Sequence, residues 1–292
     1  MTLSALRVLL RRALSEAAER TGLEIDTSFE ADEILRHCGG LSRSDVLLHG
    51  DRDADDALCS AALSIADGRK SGEPLAYLLG EVSFFGFDFS VRRGCLIPRA
   101  DTEVVVEEVC SLLPSGGVLW DLCTGSGCIP CAVLLSRDDV SAFGVELFPD
   151  ALAAAEENRA RHGLCDRFSV SRGDVLAGDV PLSPESGLCA PLPAVISANP
   201  PYIASSVCET LDVQVRREPL SALDGGTDGL DFYRAILSRY ARNLLPGGHF
   251  VFEIGYDQGD ALRLLAREHG FSARIRQDYA GHDRAVILSK AL

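Results

Sequence analysis

The four residues Asn199, Pro200, Pro201 and Tyr202 follow an apolar run and form an Asn-Pro-Pro-Tyr tetrad. Two adjacent prolines fix φ and remove two backbone donors, so nearby carbonyl oxygens remain available as acceptors on a rigid segment. The Asn199 side-chain carbonyl and the Pro200 main-chain carbonyl could each accept one N–H of a planar amino group. Tyr202 could pack on that group and exclude water. We therefore predict that Asn199, Pro200 and Tyr202 are catalytic and that all four residues contact substrate; the alternative is a structural turn.

Acidic residues and glycines stand at the ends of three other apolar runs. Gly125 and Gly127 follow Asp121 in a turn where free backbone amides favour an anionic or polar ligand. Glu146 ends the next run, where a carboxylate can accept hydrogen bonds from two ribose hydroxyls. Asp174 is suited to accept from an adenine amino group. A packing turn and a surface carboxylate are the structural alternatives for single residues, but the combination predicts a nucleoside-containing cofactor.

Three cysteines near the glycine turn have the spacing C-x4-C-x2-C, which also occurs in iron–sulfur proteins. Cys123, Cys128 and Cys131 lie across a predicted strand end, the turn and a helix start, with no fourth cysteine in an obvious partner position. Small buried residues are the simpler interpretation, and we predict no metal site. The ten cysteines are expected to be free thiols.

The segments that position these residues alternate between apolar runs and helical stretches. The alternation predicts an α/β fold, a doubly wound and mostly parallel seven-stranded sheet of the Rossmann-like kind. The linker between the last two runs is too short for a crossover, so those strands should pair antiparallel. Strands are predicted at 117–123, 140–147, 168–173, 194–199, 249–255, 273–279 and 284–289, and helices at 128–137, 150–162, 229–244 and 256–269.

The beginning of the chain has a different character, because apolar residues recur there at helical spacing. We predict a small helical substrate-binding domain over residues 1–76, a hairpin linker over 77–100, and a catalytic domain over 101–292. Ser28 is the expected cap of one N-terminal helix, and Asp101 is the expected cap of the helix that opens the second domain. The proline- and glycine-rich stretch 175–193 is predicted to be a mobile surface loop.

Composition excludes some classes of function. The formal net charge of -15 argues against a protein that holds nucleic acid chiefly by neutralising phosphates. No apolar run approaches the roughly 20 residues of a membrane-spanning helix. The absence of an export signal predicts a cytoplasmic protein without a membrane partner.

The motifs together resemble a known family. "DLCTGSGC", "VELFPDAL", "GDVL" and "NPPYI", in this order, are similar to class I S-adenosylmethionine-dependent methyltransferases that act on amino groups. "GEPLAYLLGEVSFFG", "LIPRADTE" and "AGHDRAVIL" narrow the resemblance to the peptide chain release factor glutamine methyltransferases, the HemK/PrmC family. The similarity extends from about residue 73 to residue 287.

The resemblance implies transfer of a methyl group from S-adenosyl-L-methionine to the glutamine amide nitrogen in the Gly-Gly-Gln motif of release factors. It also implies a protein substrate. We further expect no direct contact with nucleic acid, because the chain is acidic, and we expect a monomer. Ala100 replaces the family's usual proline and Cys123 replaces a common glycine. The predicted cofactor-binding residues are Asp121, Cys123, Thr124, Gly125, Ser126, Gly127, Glu146, Asp174, Val175 and Asn199.

Three alternatives stay open on the sequence. The related enzymes that methylate a ribosomal protein share the tetrad, although they usually lack the Asp101-Thr102-Glu103 sequence present here. A nucleic-acid amino methyltransferase would use the same tetrad, and the acidic charge counts against it. A non-catalytic binding module could keep the fold, but the intact tetrad and Glu146 disfavour it.

Overall fold

The computed structural model describes residues 1–182 and 189–290. The chain divides into two compact units. One comprises residues 1–81 with 211–217, and the other comprises the described residues of 82–210 and 218–292. Residues 183–188, which belong to the predicted loop 175–193, lie outside the described residues.

The first unit is helical, as predicted. Its longest helix, α1, buries Leu6, Leu10 and Leu14 at spacings of four residues, which places them on one face. Leu9, on the same helix, is exposed. The helices of this unit are α1 (Leu3–Thr21), α2 (Thr27–Gly39), α3 (Arg43–Leu48), α4 (Asp56–Arg69) and α5 (Leu75–Leu79).

A buried ion pair joins two of these helices. The guanidinium of Arg69 on α4 is fully buried and donates to both carboxylate oxygens of Glu30 on α2, at 2.8 Å each. It also donates to the Glu73 carbonyl. A buried charge is tolerated only when paired and hydrogen-bonded, and Arg69 meets both conditions.

Two predicted helix caps are wrong. Asp26 caps α2 by accepting from the amides of Ser28 and Phe29, so Ser28 lies inside the helix. Asp101 lies in a short 3-10 turn, and the following helix begins after Thr102 without a side-chain cap. The Asp101 carboxylate instead pairs with Arg284, at 3.2 Å. In both cases a neighbouring residue occupies the cap position, and only Asp26 has the extended backbone typical of a cap.

The second unit begins with the predicted hairpin and continues into the large sheet. The hairpin strands are β1 (Glu81–Phe84) and β2 (Phe87–Ser90). The order in the large sheet is β5-β4-β3-β6-β7-β9-β8, and β9 runs antiparallel to the other six strands. The large sheet contains β3 (Val118–Leu122), β4 (Ser141–Glu146), β5 (Phe168–Arg172), β6 (Val195–Ala198), β7 (His249–Glu253), β8 (Phe271–Gln277) and β9 (Asp283–Lys290). The predicted seven-stranded, mostly parallel sheet and the antiparallel final pair are confirmed.

Helices cover both faces of this sheet. Alternate residues of a strand enter different cores: Leu119 packs in the cluster with α6 and α7, and Trp120 packs in the cluster with α10 and α11. The helices are α6 (Glu103–Leu112), α7 (Cys128–Ser136), α8 (Pro149–Arg161), α9 (Ser205–Cys208), α10 (Asp231–Tyr240) and α11 (Gly259–Glu268). Among the described residues, no helix is both long enough and apolar enough to cross a membrane.

The strand order fixes where a ligand can bind. It reverses between β3 and β6, which are parallel neighbours whose chain connections leave in opposite directions across the sheet. In open α/β sheets a crevice forms at this switch, beyond the carboxyl ends of the strands. The predicted site residues lie at or just after the carboxyl ends of β3, β4, β5 and β6, so the fold brings them to this edge.

Candidate active site

A cavity of about 520 Å³ lies at this edge of the second unit. That volume falls within the range of roughly 300–1,000 Å³ usual for small-molecule sites. Most predicted cofactor residues line it. They are Cys123, Thr124, Gly125, Ser126, Glu146, Asp174, Val175 and Asn199. Pro201 also lines the cavity, whereas Asp121, Gly127, Pro200 and Tyr202 lie outside its wall.

Asp121 does not line the cavity, but it supports the cavity wall through hydrogen bonds. Its carboxylate accepts from the Thr124 hydroxyl on the glycine turn and from the Ser197 hydroxyl on β6, at 2.5 Å each. Burial raises the pKa of Asp121 to about 7, while the hydrogen bonds from Ser197 and Thr124 oppose that rise. The residue therefore joins β3, the turn and β6, and its predicted contact with the cofactor stays a prediction.

The glycine turn between β3 and α7 has three residues in the left-handed region. Cys123, Gly125 and Gly127 have φ of 57°, 57° and 74°. The left-handed conformation favours glycine. This preference explains why glycine is common at the position of Cys123 in the family that the sequence resembles. Gly127 serves packing, because an added Cβ would stand 3.1 Å from the Phe168 ring.

Glu146, at the end of β4, is held by backbone amides. One carboxylate oxygen accepts from Gly125 N and the other from Phe148 N, each at 2.9 Å. Burial raises its pKa, and the amides of Phe148 and Gly125 oppose the rise by stabilising the charged form. Each oxygen keeps a further lone pair, so the carboxylate can still accept from hydroxyls of a ligand in the cavity.

The third cofactor contact predicted from sequence, Asp174, lines the cavity beside Val175. One oxygen of Asp174 accepts from Leu176 N, at 2.8 Å, which fixes the carboxylate against its own turn. The backbone N–H of Asp174 donates to Asp179, also at 2.8 Å. The second carboxylate oxygen can therefore serve as an acceptor for an amino group.

The tetrad after β6 is supported by several hydrogen bonds. Asn199 donates through Nδ2 to the Thr102 hydroxyl, at 3.4 Å, and it lines the cavity. The Tyr202 hydroxyl donates to Glu253, at 3.1 Å, and the Tyr202 carbonyl accepts from Gln258, at 2.9 Å. Burial raises the pKa of Tyr202, so its hydroxyl stays protonated. The predicted stacking of Tyr202 on substrate remains a prediction.

A glycine loop allows the tetrad to pack closely. A Cβ on Gly225 would stand 2.6 Å from the Pro201 carbonyl oxygen, and a Cβ on Gly229 would stand 2.2 Å from the Tyr202 carbonyl oxygen. Real Cβ atoms do not approach so closely, so both positions require glycine. The "LDGGTDGL" stretch thus forms a cradle for the backbone of the tetrad.

Residues that sequence reasoning did not assign support the cavity wall through hydrogen bonds. Glu218 is buried and accepts hydrogen bonds from Ile97 N, at 2.9 Å, and from the Arg99 side chain. These bonds connect two segments of the cavity wall, one containing Pro98 and the other containing Pro219. Thr102 and Glu253 lie beneath Asn199. One signal was visible in the sequence: a glutamate inside the apolar run "FVFEIG" is unusual in a buried strand.

The three cysteines of the C-x4-C-x2-C spacing do not form a metal-binding group. Among the residues that the structure describes, no set of three or more His, Cys, Asp or Glu side chains is arranged to hold a metal ion. Cys128 and Cys131 pack in one core, and Cys123 packs against the other. Burial raises the pKa of Cys128 to about 12, so its thiol stays protonated.

Known proteins with this fold give a first level of assignment. A methyltransferase from Pyrococcus furiosus superposes with a TM-score of 0.51 at 17% identity, covering 71% of this chain and 91% of that chain. The likeness concerns the fold alone. The strand order and the cavity at its switch point define a class I, Rossmann-like methyltransferase fold.

Sequence comparisons identify the family. Residues 8–80 match the family model of the PrmC N-terminal domain. A release factor glutamine methyltransferase of Moorella thermoacetica is 39% identical over 285 residues, covering 95% of this chain and 97% of the relative. The protein of the same name from Nitratidesulfovibrio vulgaris is 35% identical and covers 99% of this chain and 96% of the relative. The chain belongs to the family of release factor glutamine methyltransferases.

Proposed function

We propose that this protein transfers a methyl group from S-adenosyl-L-methionine to the side-chain amide nitrogen of the glutamine in the Gly-Gly-Gln motif of peptide chain release factors. The names of the relatives, which match over nearly the whole chain, support the substrate. One structural observation supports the chemistry: Asn199 lines the same cavity as the glycine turn and Glu146. We propose that its amide oxygen holds the substrate amide beside a cofactor bound in this cavity.

The donor set of the cavity fits the cofactor. Glu146 presents carboxylate oxygens, which suit the two ribose hydroxyls, and the turn at Gly125 allows close approach of a ligand to the backbone. Asp174 keeps one carboxylate oxygen for the adenine amino group. When bound, S-adenosylmethionine supplies an electrophilic methyl group on its sulfonium, so the protein must only orient the nucleophile.

The chain's own residues would act on the substrate amide. A carboxamide nitrogen is a poor nucleophile because its lone pair is delocalised into the carbonyl. Asn199 Oδ1 and the Pro200 carbonyl would each accept one N–H, which returns electron density to nitrogen and fixes the direction of attack. Each neutral hydrogen bond contributes only about 1 kcal/mol net, whereas positioning can contribute ~7–11 kcal/mol. Orientation should therefore dominate, and the proton can leave after transfer without a dedicated base.

If the substrate is a protein, roles can also be proposed for the other segments of the chain. The helical domain at 1–76 would help to hold the release factor, the segment 77–100 would link it to the methyltransferase domain at 101–292, and the enzyme would act as a monomer. A glycine-flanked glutamine suits a narrow slot, since a glycine backbone passes where side chains would not. Because release factors act in translation, we propose a cytoplasmic enzyme. The net charge of -15 supports a protein partner over direct contact with nucleic acid.

The proposal is tested by incubating the protein with methyl-labelled cofactor and four acceptors in parallel. These are a release factor, the same factor with the glutamine of Gly-Gly-Gln replaced by alanine, total ribosomal protein, and RNA or DNA. We expect label on the unmodified release factor alone, located to the glutamine by peptide mass spectrometry. Label on ribosomal protein or nucleic acid, without label on the release factor, would overturn the proposal.

A further inference from the structure

A chain of hydrogen bonds runs from the end of β7 to the tetrad. The Thr102 hydroxyl donates to Glu253 Oε2, at 2.5 Å, and the Thr102 oxygen accepts from Asn199 Nδ2, at 3.4 Å. Thr102 and Glu253 are both only 2% exposed. Few alternative partners are therefore available to these polar atoms, and the order of donors and acceptors along the chain is constrained.

The chemistry of the three groups fixes that order. An ionised carboxylate can only accept, and a threonine hydroxyl has a single proton to donate. Once that proton points to Glu253, the Thr102 oxygen can only accept from Asn199. The Asn199 amide must then direct its NH2 group toward Thr102, which leaves Oδ1 facing the cavity. With the amide reversed, two acceptors would face each other at Thr102.

We propose that Thr102 and Glu253 are positioning residues that set the orientation of the Asn199 amide, so that its carbonyl oxygen faces the amino group of the substrate. This inference rests on the proposed function, because it assigns the roles of two residues in the same reaction. Neither residue touches the reacting atoms in this account. Both act through Asn199.

The second oxygen of Glu253 extends the same control to the other end of the tetrad. Oε1 accepts from the Tyr202 hydroxyl, at 3.1 Å, so one carboxylate holds both Tyr202 and, through Thr102, Asn199. The backbone carbonyl of Glu253 also accepts from the Tyr233 hydroxyl, at 2.7 Å, which fixes the end of the strand. The two functional side chains of the tetrad therefore depend on one buried group.

The order of donors depends on the charge of Glu253. A protonated Glu253 could donate to Thr102, which could then donate to Asn199 Oδ1 and occupy the acceptor that the substrate needs. Burial raises the pKa of Glu253, while hydrogen bonds from Thr102 and Tyr202 and the charge of Arg284 oppose the rise and Asp101 adds to it. Tyr233 and Cys128 are further titratable neighbours, and both stay protonated because burial raises their pKa values. Turnover should therefore fall as pH decreases through the pKa of Glu253.

Two substitutions at one position test the assignment. Thr102→Val keeps the shape and removes the hydroxyl, whereas Thr102→Ser keeps the hydroxyl. We expect Thr102→Val to reduce kcat for release factor methylation about 10- to 100-fold, since small misplacements of a reacting group have effects of that order. Cofactor affinity should stay within about 3-fold, and Thr102→Ser should restore kcat to within about 3-fold of the parent. Thr210→Val, at an exposed threonine, is the matched control.

A double-mutant cycle separates positioning from general structure. If Thr102 acts through Asn199, Thr102→Val should have little further effect on kcat in an Asn199→Ala background. Multiplicative losses, or full kcat in Thr102→Val, would overturn the inference. If Thr102→Val fails to fold, Glu253→Gln is tested instead. We expect this variant to have a lower kcat, and we expect its kcat no longer to fall as pH decreases. Full kcat or an unchanged profile in Glu253→Gln would also contradict the inference. Failure of the parent protein to methylate any release factor would instead reject the proposed function.

Discussion

The two ends of the cavity are built in different ways. At the cofactor end, the hydrogen bonds that hold the two acidic residues span short stretches of chain: Phe148 and Glu146 are two residues apart, Leu176 and Asp174 are two apart, and Gly125 and Glu146 are 21 apart. At the amide end, Asn199 and Thr102 are 97 residues apart, and Thr102 and Glu253 are 151 apart. A cofactor site can therefore be largely specified by local turns. The geometry around the reacting nitrogen depends on the assembled sheet.

The two ends of the cavity also differ in the kind of group that holds the functional side chains. Backbone amides of Gly125 and Phe148 hold Glu146 at the cofactor end, and no substitution at those two positions other than proline removes them. The amide end depends on side chains, so truncating one of them removes the interaction altogether. We therefore expect losses of turnover at the amide end and losses of affinity at the cofactor end.

The largest effect is expected for Asn199→Ala. Removing the acceptor should lower kcat by about 10²- to 10³-fold, because an oriented polar group at a reacting centre contributes on that scale. Cofactor affinity should remain within a few-fold. Single-turnover methylation of a release factor and calorimetric titration of the cofactor measure the two quantities.

Asn243→Ala is the matched control, because it removes the same side chain near the end of α10, outside the cavity wall. It should leave both quantities unchanged. Turnover of Asn199→Ala near that of the parent would show that the assigned role of Asn199 is wrong.

A smaller effect, on affinity, is expected for Glu146→Gln. Both carboxylate oxygens accept from backbone N–H groups, so the NH2 of glutamine would face a donor. Loss of a hydrogen bond to a charged group costs about 1.5–3 kcal/mol, which corresponds to cofactor binding roughly 10- to 150-fold weaker. At saturating cofactor, kcat should stay within a few-fold. Glu156→Gln, on the exposed face of α8, is the control, and unchanged affinity in Glu146→Gln would refute a ribose contact.

Asp121 lies between the two ends of the cavity. Its raised pKa predicts that the stability of the protein depends on pH. Its folded pKa of about 7 exceeds the usual value of 3.8 for an aspartate, so the folded state keeps the proton to higher pH. The contribution of Asp121 is full below about pH 4 and is lost as pH rises toward about 7, with a slope of at most ~1.4 kcal/mol per pH unit. Asp121→Asn should lack this dependence.

Denaturant titrations of the parent and Asp121→Asn from about pH 5 to about pH 8 test this point. The free energy of unfolding of the parent should fall relative to the variant up to about pH 7 and then run parallel to it. A constant difference across that range would mean that Asp121 ionises as it does in the unfolded chain.

The smallest effect is expected at Cys123. Its left-handed conformation costs an L residue about 1–2 kcal/mol, whereas glycine adds about 0.4–1 kcal/mol of unfolded-state entropy. Cys123→Gly should therefore change the free energy of unfolding by about 1 kcal/mol or less and leave cofactor affinity within a few-fold. Cys123→Ala keeps the strain and serves as the control. A tenfold loss of cofactor affinity in Cys123→Gly would show that the thiol itself contacts the ligand.

Sequence reasoning succeeded where a local pattern carries the information. The seven strands, the glycine turn, Glu146 and the cavity position of Asn199 follow from apolar periodicity and from the residues next to each run. It failed where neighbours compete for one position, as at Ser28 and Asp26, because capping depends on backbone angles that composition does not specify. The pairing of Thr102 with Glu253 could not be predicted either, since it requires knowing that the turn before α6 contacts the end of β7.

The central claim is that two fixed oxygens hold the substrate amino group beside the methyl donor. A crystal structure of the protein with S-adenosylhomocysteine and a Gly-Gly-Gln peptide tests it most directly. We expect the glutamine nitrogen within hydrogen-bond distance, about 2.7–3.2 Å, of both Asn199 Oδ1 and the Pro200 carbonyl oxygen, on the side facing the cofactor sulfur. A glutamine bound away from these oxygens, or an Asn199 amide with its NH2 toward the substrate, would contradict the account.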